Sequence, residues 1–193
     1  MSKVKPRKFL QCKFKSSNYL LLVLFLSVGT ILMTGCDKND ESQISDENFY
    51  EQIAYSVICC YSDMYNQNVA GKPVGGQNFS GSGPLGGTVT ITGSTSEGDG
   101  MTVIDLDYSM TDVKYVKSSN DYTTVITITG VTAETGSFSS SYTSLNYQSE
   151  NIHIVGKVTY GSKSRQIDMT GPMSFNRSAN SVSGEVFGHV VSW

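Results

Sequence analysis

The sequence predicts a mainly β protein, an antiparallel β-sandwich or curled β-barrel of about seven or eight strands with one N-terminal helix packed on it. Apolar residues recur at helical spacing before residue 70. From residue 88 onward Thr, Ser, Val, Ile and Tyr dominate, and apolar residues recur with a period of two. Short polar segments separate the candidate strands, which favours hairpins over parallel βαβ units. A chain of 193 residues suits one modest domain with appendages.

Charge is distributed unevenly along the chain. Six of the 14 basic residues precede residue 20, and no acidic residue occurs before Asp37. Residues 36–193 therefore hold eight basic and 17 acidic residues, a net charge of −9 compared with −3 for the whole chain. Because nucleic acids and anionic lipids bind clustered Lys and Arg, this composition argues against nucleic-acid binding and against adsorption to anionic lipid.

The N-terminal segment has the pattern of a secretory signal peptide. A basic stretch over residues 2–19 precedes 14 mostly apolar, uncharged residues at positions 20–33. A membrane-crossing helix needs roughly 20 apolar residues, and even residues 19–35 supply only 17. We therefore expect residues 1–35 to be a signal peptide, with a permanent anchor helix as the alternative.

The apolar run ends in Leu32, Met33, Thr34, Gly35 and Cys36. This segment resembles the lipobox of bacterial lipoproteins. The resemblance implies cleavage between Gly35 and Cys36, a diacylglyceryl group on the Cys36 thiol, and a fatty acyl group such as palmitate on the new N-terminal amine. Three acyl chains exceed the two signals that stable anchoring requires.

The residues after Cys36 form a predicted lipidated acidic tether over positions 36–44. Asp37, Lys38, Asp40 and Glu41 resemble the export signal of surface lipoproteins in Bacteroidota-type bacteria. In an enteric bacterium the same Asp37 would resemble a signal for retention in the inner membrane. We expect a bacterial cell-envelope location, with the outer membrane and its exposed surface as the favoured site.

Residues 45–69 have helical periodicity. Phe49, Ile53, Val57, Cys60 and Met64 are spaced for one helix face, and a second apolar row lies beside them. Side chains that can cap a helix N-terminus precede the apolar rows, namely Ser45, Asp46 and Asn48. The breadth of the apolar surface predicts a helix packed against the sheet.

The helix is followed by a predicted Gly-rich linker and then by the β domain. Residues 70–87 hold seven glycines and two prolines, typical of a linker or long loop. The β domain is predicted over residues 88–193, with strands at 88–92, 102–110, 113–117, 122–130, 136–147, 151–160, 164–175 and 182–193. Gly161 and Ser162 predict a tight hairpin with a type II′ turn.

Two motifs resemble chemical sites but lack the context that such sites need. Gly81, Gly83 and Gly86 satisfy the GxGxxG pattern, but a strand follows them where dinucleotide binding requires a helix. Cys59 and Cys60 are adjacent, so within a helix they point about 100° apart and cannot bridge each other. They are interpreted as core residues, with oxidation through local distortion or an intermolecular bond as the alternatives.

The titratable side chains of the β domain leave several interpretations open. His153 is expected to point to solvent or to a second layer, and His189 to be an ordinary strand residue, because no GxSxG segment marks a nucleophile. Asp105 and Asp107 lie on one strand face. They could serve glycoside hydrolysis or bind Ca²⁺, although an acidic, solvent-facing row is the simpler interpretation.

Three functional hypotheses follow, and the favoured first hypothesis assigns no catalytic, cofactor-binding or metal-binding residue. The first is a lipid-anchored envelope lipoprotein with a non-enzymatic binding or structural domain, whose partners are the membrane, through Cys36, and a protein or glycan. An exposed aromatic patch would support it, formed from Tyr108, Tyr115, Tyr142, Tyr147 or Phe138. The second is a lipocalin-like carrier of a small apolar ligand with an empty interior. The third is a hydrolase with Asp105 or Asp107 in a cleft.

Overall fold

The computed structural model describes residues 44–193. Helix α1 (Asp46–Asn68) precedes eight strands, β1 (Gly75–Ser82), β2 (Thr88–Gly98), β3 (Met101–Ser119), β4 (Tyr122–Phe138), β5 (Thr143–Tyr160), β6 (Lys163–Ser178), β7 (Val182–Val186) and β8 (His189–Ser192). Each strand pairs antiparallel with its sequence neighbour in one sheet of order β1 to β8. The predicted mainly β fold class is confirmed, with the sheet curled and not closed by a β1–β8 ladder. The predicted signal peptide and the tether up to residue 43 lie outside the described residues.

Helix α1 lies inside the concave face of the curled sheet. The Ser45 hydroxyl caps it by accepting a hydrogen bond from the Asn48 amide (3.3 Å), as the sequence predicted. Burial extends around almost the whole circumference of the helix, from Phe49 to Tyr65. A helix that is buried on all sides belongs to a core, so α1 is the centre about which the strands are arranged.

Bulges in two strands bend the sheet around α1. Pairing between β3 and β4 shifts between Met110 and Val113. Pairing of β5 shifts between Gln148 and Ile152 with β4, and between Ser149 and Ile152 with β6. Gly130 of β4 pairs with both Met110 and Ile152, so the two bulges lie at the same level. An extra residue bends a strand and strengthens its twist. Two bulges at one level therefore curl the long strands β3 to β6 together.

The bulges explain where the predicted strand boundaries were wrong. The segments 102–110 and 113–117 belong to the single strand β3, whose inward face changes from even to odd residue numbers at the bulge. The predicted strand 136–147 instead spans the end of β4, a turn and the start of β5. A one-residue insertion breaks the period of two without ending the strand.

The predicted Gly-rich linker contains a strand. Within residues 70–87, β1 occupies Gly75–Ser82 and pairs in continuous register with β2. Its glycines and small polar residues have low strand propensity, so the backbone ladder with β2 forms this strand despite its composition.

Two of the strand connections, β5–β6 and β7–β8, are two-residue hairpin turns. Tyr160 pairs with Lys163 across the turn at Gly161 (φ 57°), as a type II′ turn requires, so that hairpin is confirmed. The predicted strand 182–193 is instead the β7–β8 hairpin. Phe187 and Gly188 form its turn, both with positive φ (51° and 83°), the pattern of a type I′ turn.

Gly156 supplies a test of the curled sheet. Its φ is +151°, and an added Cβ would overlap the carbonyl oxygen of Val125 in β4. We expect Gly156→Ala to lower the free energy of unfolding by about 2 kcal/mol or more, through backbone strain and steric overlap. Gly98→Ala is the matched control, because nothing lies within 4 Å of its Cβ position. Urea titration of both variants checks this, and equal stabilities would contradict the described sheet geometry.

Candidate functional site

The predicted acidic pair lies on the open outer face of the sheet. Asp105 and Asp107 are both exposed and alternate with the buried Leu106 and Tyr108 of β3. The hydrolase hypothesis requires one of these carboxylates in a cleft, and their exposed position gives that hypothesis no geometric support. The arrangement matches the interpretation as a solvent-facing acidic row.

Both histidines occupy ordinary surface positions. His153 points to solvent, as expected, and its Nε2 lies 3.1 Å from Oδ1 of Asp168 on the neighbouring strand β6. His189 begins β8 and stacks on the ring of Tyr50 from α1, with centroids 3.5 Å apart. Neither of these two contacts joins an imidazole to a serine or threonine hydroxyl.

The prediction of an exposed aromatic patch is wrong for four of the five residues that it names. Tyr108, Tyr115, Tyr147 and Phe138 are buried, and only Tyr142 is exposed. The four buried rings point into the concave face because they occupy inward positions of β3, β4 and β5. They form the core around α1 and do not make an exposed patch.

The adjacent cysteines belong to the packing of α1. Cys59 and Cys60 are both buried, and Cys60 is a free thiol, so the two do not bridge each other, as the sequence predicted. Burial raises the pKa of the Cys60 thiol, and the nearby Asp63 carboxylate raises it further. A buried protonated thiol is a poor nucleophile and a poor metal ligand. Cys60 therefore acts as a core residue.

A polar cluster lies in the middle of the core. Glu134 of β4 is fully buried, and the Tyr108 hydroxyl donates a 2.6 Å hydrogen bond to its Oε2. The Tyr147 hydroxyl lies beside the same carboxyl, although neither this hydroxyl nor Glu134 Oε1 makes a hydrogen bond of good geometry. The Arg177 guanidinium adds a positive charge nearby and donates to the Ser62 hydroxyl at 2.8 Å.

Tyr61 of α1 joins this cluster to the helix. Its ring stacks on Tyr147 (centroids 5.5 Å apart) and lies 5.6 Å from the ring of Tyr108. Its hydroxyl shares a 2.7 Å hydrogen bond with Thr132 of β4. The helix is therefore fixed to β3, β4 and β5 by directional contacts as well as by apolar packing. We name Tyr61, Tyr108, Glu134, Tyr147 and Arg177 the core polar cluster.

The protonation of Glu134 follows from its surroundings. Burial raises the pKa of this carboxyl, whereas the Tyr108 and Tyr147 hydroxyls and the Arg177 charge lower it, and the net effect is a raised pKa. Burial likewise raises the pKa of the Tyr108 and Tyr147 hydroxyls. Raised carboxyl pKa values occur in catalytic acids, but also in structural networks. Because packed side chains surround this carboxyl, the cluster serves to position α1 on the sheet.

Sequence reasoning missed the core polar cluster. Residues 131–135 fall between two candidate strands, so the sequence assigns Glu134 to no element. The sequence does contain a pattern that indicates the burial of Glu134. The even-numbered residues of β4 face inward from Ile126 and Ile128 onward, and this alternation continues through Glu134 to Phe138. A glutamate at an inward strand position predicts a buried carboxyl that needs partners.

A half-open cleft lies at the C-terminal end of α1. It has a volume of about 750 Å³ and lies between that helix end, residues 69–74 and the turn between β2 and β3. Tyr65 and Phe138 pack edge to face at its base, with centroids 5.5 Å apart, and Lys72 and Glu97 also line it. We name this the distal cleft. Its volume is in the range of small-molecule sites, and its lining combines apolar and charged groups.

Comparisons with protein-family models, with curated proteins and with solved structures find no match to this chain. Within residues 44–193, no group of three or more His, Cys, Asp and Glu side chains is arranged to hold a metal ion. The features that bear on function are therefore the sequence of the N-terminal segment and the geometry of the domain.

The raised pKa of Glu134 predicts a pH dependence of stability. The folded protein binds this proton more tightly than the unfolded chain, whose reference pKa is 4.5. Stability is therefore lost as the pH rises from 4.5 toward the raised pKa of Glu134. In Glu134→Gln this loss disappears, so the difference in stability between the two proteins changes with pH over that window. Asp105→Asn, which changes an exposed carboxylate, is the control.

Urea unfolding at a series of pH values measures this effect. Parallel pH profiles for the unmodified protein and Glu134→Gln would show that Glu134 titrates alike in the folded and unfolded states, contrary to the expected raised pKa.

Proposed function

We propose that this protein is a lipid-anchored lipoprotein of the bacterial cell envelope, held at the outer membrane by acyl chains on Cys36, and that its β domain is a non-enzymatic binding or structural module. The lipobox-like residues 32–36, the basic and apolar segments before them and the acidic residues after them support this proposal.

The position of Cys36 relative to the folded domain carries the proposal. The described domain begins at Ile44, eight residues after Cys36. At 3.3 to 3.6 Å per extended residue, this segment spans at most about 28 Å. Arg165 of β6 holds the beginning of the domain, because its Nη1 donates to Asp46 Oδ1 (2.6 Å) and to the Ile44 carbonyl (3.4 Å). Acyl chains on Cys36 can therefore enter a bilayer while the domain stays folded.

The geometry of the candidate catalytic groups supports a non-enzymatic role. The outer-face carboxylates Asp105 and Asp107 are spread on an open surface, and Glu134 is enclosed by packed side chains. In the part of the chain that the structure describes, no helix has both the length and the apolar character needed to cross a membrane. In this proposal, membrane attachment is assigned to the acyl chains.

The distal cleft is the feature best suited to a soluble partner. Helix α1 has 23 residues, so at 1.5 Å per residue its C-terminal end is about 34 Å from its N-terminal end. The anchor is attached at the N-terminal end, so the distal cleft lies at the opposite end of the domain. A protein or glycan approaching from outside would meet this end first.

The carrier hypothesis receives less support. A lipocalin-like carrier needs an empty apolar interior, whereas α1 and the rings of Tyr61, Tyr108 and Tyr147 fill the concave face. A ligand of that kind would have to bind in the distal cleft, which is half-open and includes charged side chains.

Intact mass spectrometry of the protein purified from its native membrane tests the proposal. We expect a chain that begins at residue 36 with the added mass of three acyl chains, as the lipobox resemblance implies. In Cys36→Ala the acyl mass should be absent, since the acceptor thiol is lost. Cys60→Ala is the matched control, because that buried thiol lies in α1 and its loss should leave acylation unchanged. An unacylated native chain would refute the proposed function.

A further inference from the structure

The sheet has opposite charge on the two sides of its bulges. We define the near half as residues 113–130 and 152–171, which include Arg165 beside the start of α1, and the far half as residues 75–112, 131–151 and 172–193. The near half holds five basic and two acidic residues, whereas the far half holds one basic and eight acidic residues. Of these, Arg177 and Glu134 are buried in the core, so seven acidic residues of the far half contribute to its surface charge. The basic residues of the near half are Lys114, Lys117, Lys157, Lys163 and Arg165.

Acidic residues in the first turns of α1 reduce this charge asymmetry but do not remove it. Asp46, Glu47 and Glu51 lie at the near end, and Asp46 pairs with Arg165 at 2.6 Å. With these acids included, the near end is about neutral while the far half stays strongly negative. The net charge of the mature chain, read from sequence alone, conceals this separation.

Two tyrosines lie at the tip of the near half. Tyr122 begins β4 and Tyr160 ends β5, and their rings are 4.6 Å apart. Tyr160 is 42% exposed and pairs in register with Lys163. Tyrosine beside lysine suits the headgroup region of a bilayer, because the ring enters the interface while the hydroxyl and the ammonium group stay hydrated.

The chain also enters the domain at the near half. Arg165, which holds the Ile44 carbonyl, lies two residues after the start of β6. Cys36 is eight residues before Ile44, so Ile44, which Arg165 of the near half holds, must stay within about 28 Å of the anchored residue. The far half, with its acidic surface, is free to point away.

We propose that the near half is a membrane-facing surface, and that its basic side chains and the Tyr122–Tyr160 pair contact phospholipid headgroups. This inference rests on the proposed lipid anchor. The acyl chains supply the binding energy, while the charge separation sets the orientation, since anionic headgroups repel the strongly negative far half much more than the nearly neutral near end. The distal cleft is thereby held away from the bilayer.

Fluorescence quenching by lipids tests the orientation. Tyr160→Trp and Tyr142→Trp form a matched pair, because their side chains are 42% and 48% exposed and lie at opposite ends of the long strands. The acylated proteins are reconstituted in vesicles of phosphatidylethanolamine and phosphatidylglycerol that carry a headgroup-linked nitroxide quencher. The native Trp193, which packs against Tyr55, is kept in both variants. Its fluorescence is measured in the unmodified protein and subtracted.

We expect the added tryptophan at position 160 to be quenched several-fold more than the one at position 142. Lys114→Gln with Lys157→Gln should reduce that difference, because both side chains are exposed cations of the near half. Lys72→Gln, which changes a cation at the distal cleft, should not reduce it.

The outcomes separate this inference from the proposed function. Equal quenching at both positions, or stronger quenching at position 142, in protein whose mass shows acylation would overturn the membrane-facing surface alone. Quenching at neither position, with crosslinking between copies at position 160, would assign the surface to a second copy of the chain and also overturn it. A native chain without acyl mass would refute both proposals.

Discussion

Burial of α1 in the concave face of the sheet is the interaction on which the rest of the structure depends. The helix supplies many of the largest fully buried side chains, among them Phe49, Ile53 and Tyr61, and each such side chain contributes about 1.5 to 3 kcal/mol. An open antiparallel sheet has no second layer of its own, so without α1 its inner face would be exposed to water. Tyr61 also makes directional contacts, a hydrogen bond with Thr132 and ring contacts with Tyr108 and Tyr147. These contacts determine how the helix is oriented on the strands.

The curled sheet follows from local features that only partly show in the sequence. The period of two predicts strands and inward faces well, and the helix bounds of 45–69 agree closely with Asp46–Asn68. The bulges near Met110 and Ser149 resemble strand ends in the sequence, since one extra residue inverts the alternation. Strand β1 was missed for a different reason, because its pairing with β2 decides its conformation and its composition does not. Local patterns thus predict elements, whereas pairing with distant residues sets their lengths.

The same distinction applies to the functional features. The lipobox-like segment is local, so the prediction of an anchor at Cys36 needs no fold. The core polar cluster and the separation of charge require the strand order, because Tyr108, Glu134 and Arg177 come from three strands and meet only across the sheet. Composition alone argued against contact with anionic lipid, but the fold collects most of the described basic residues at the end where the chain enters. A chain that is acidic on average can therefore present a nearly neutral end to a membrane.

The role of α1 as the core is tested most directly by hydrogen–deuterium exchange of the purified protein. If the sheet depends on the buried helix, the amides between Phe49 and Tyr65 exchange only when the whole domain unfolds. The opening free energy of these amides then equals that of β4 and β5 and matches the value from urea titration. Exchange of α1 well before the central strands would mean that the sheet is stable without its helix, and would contradict the central role of α1.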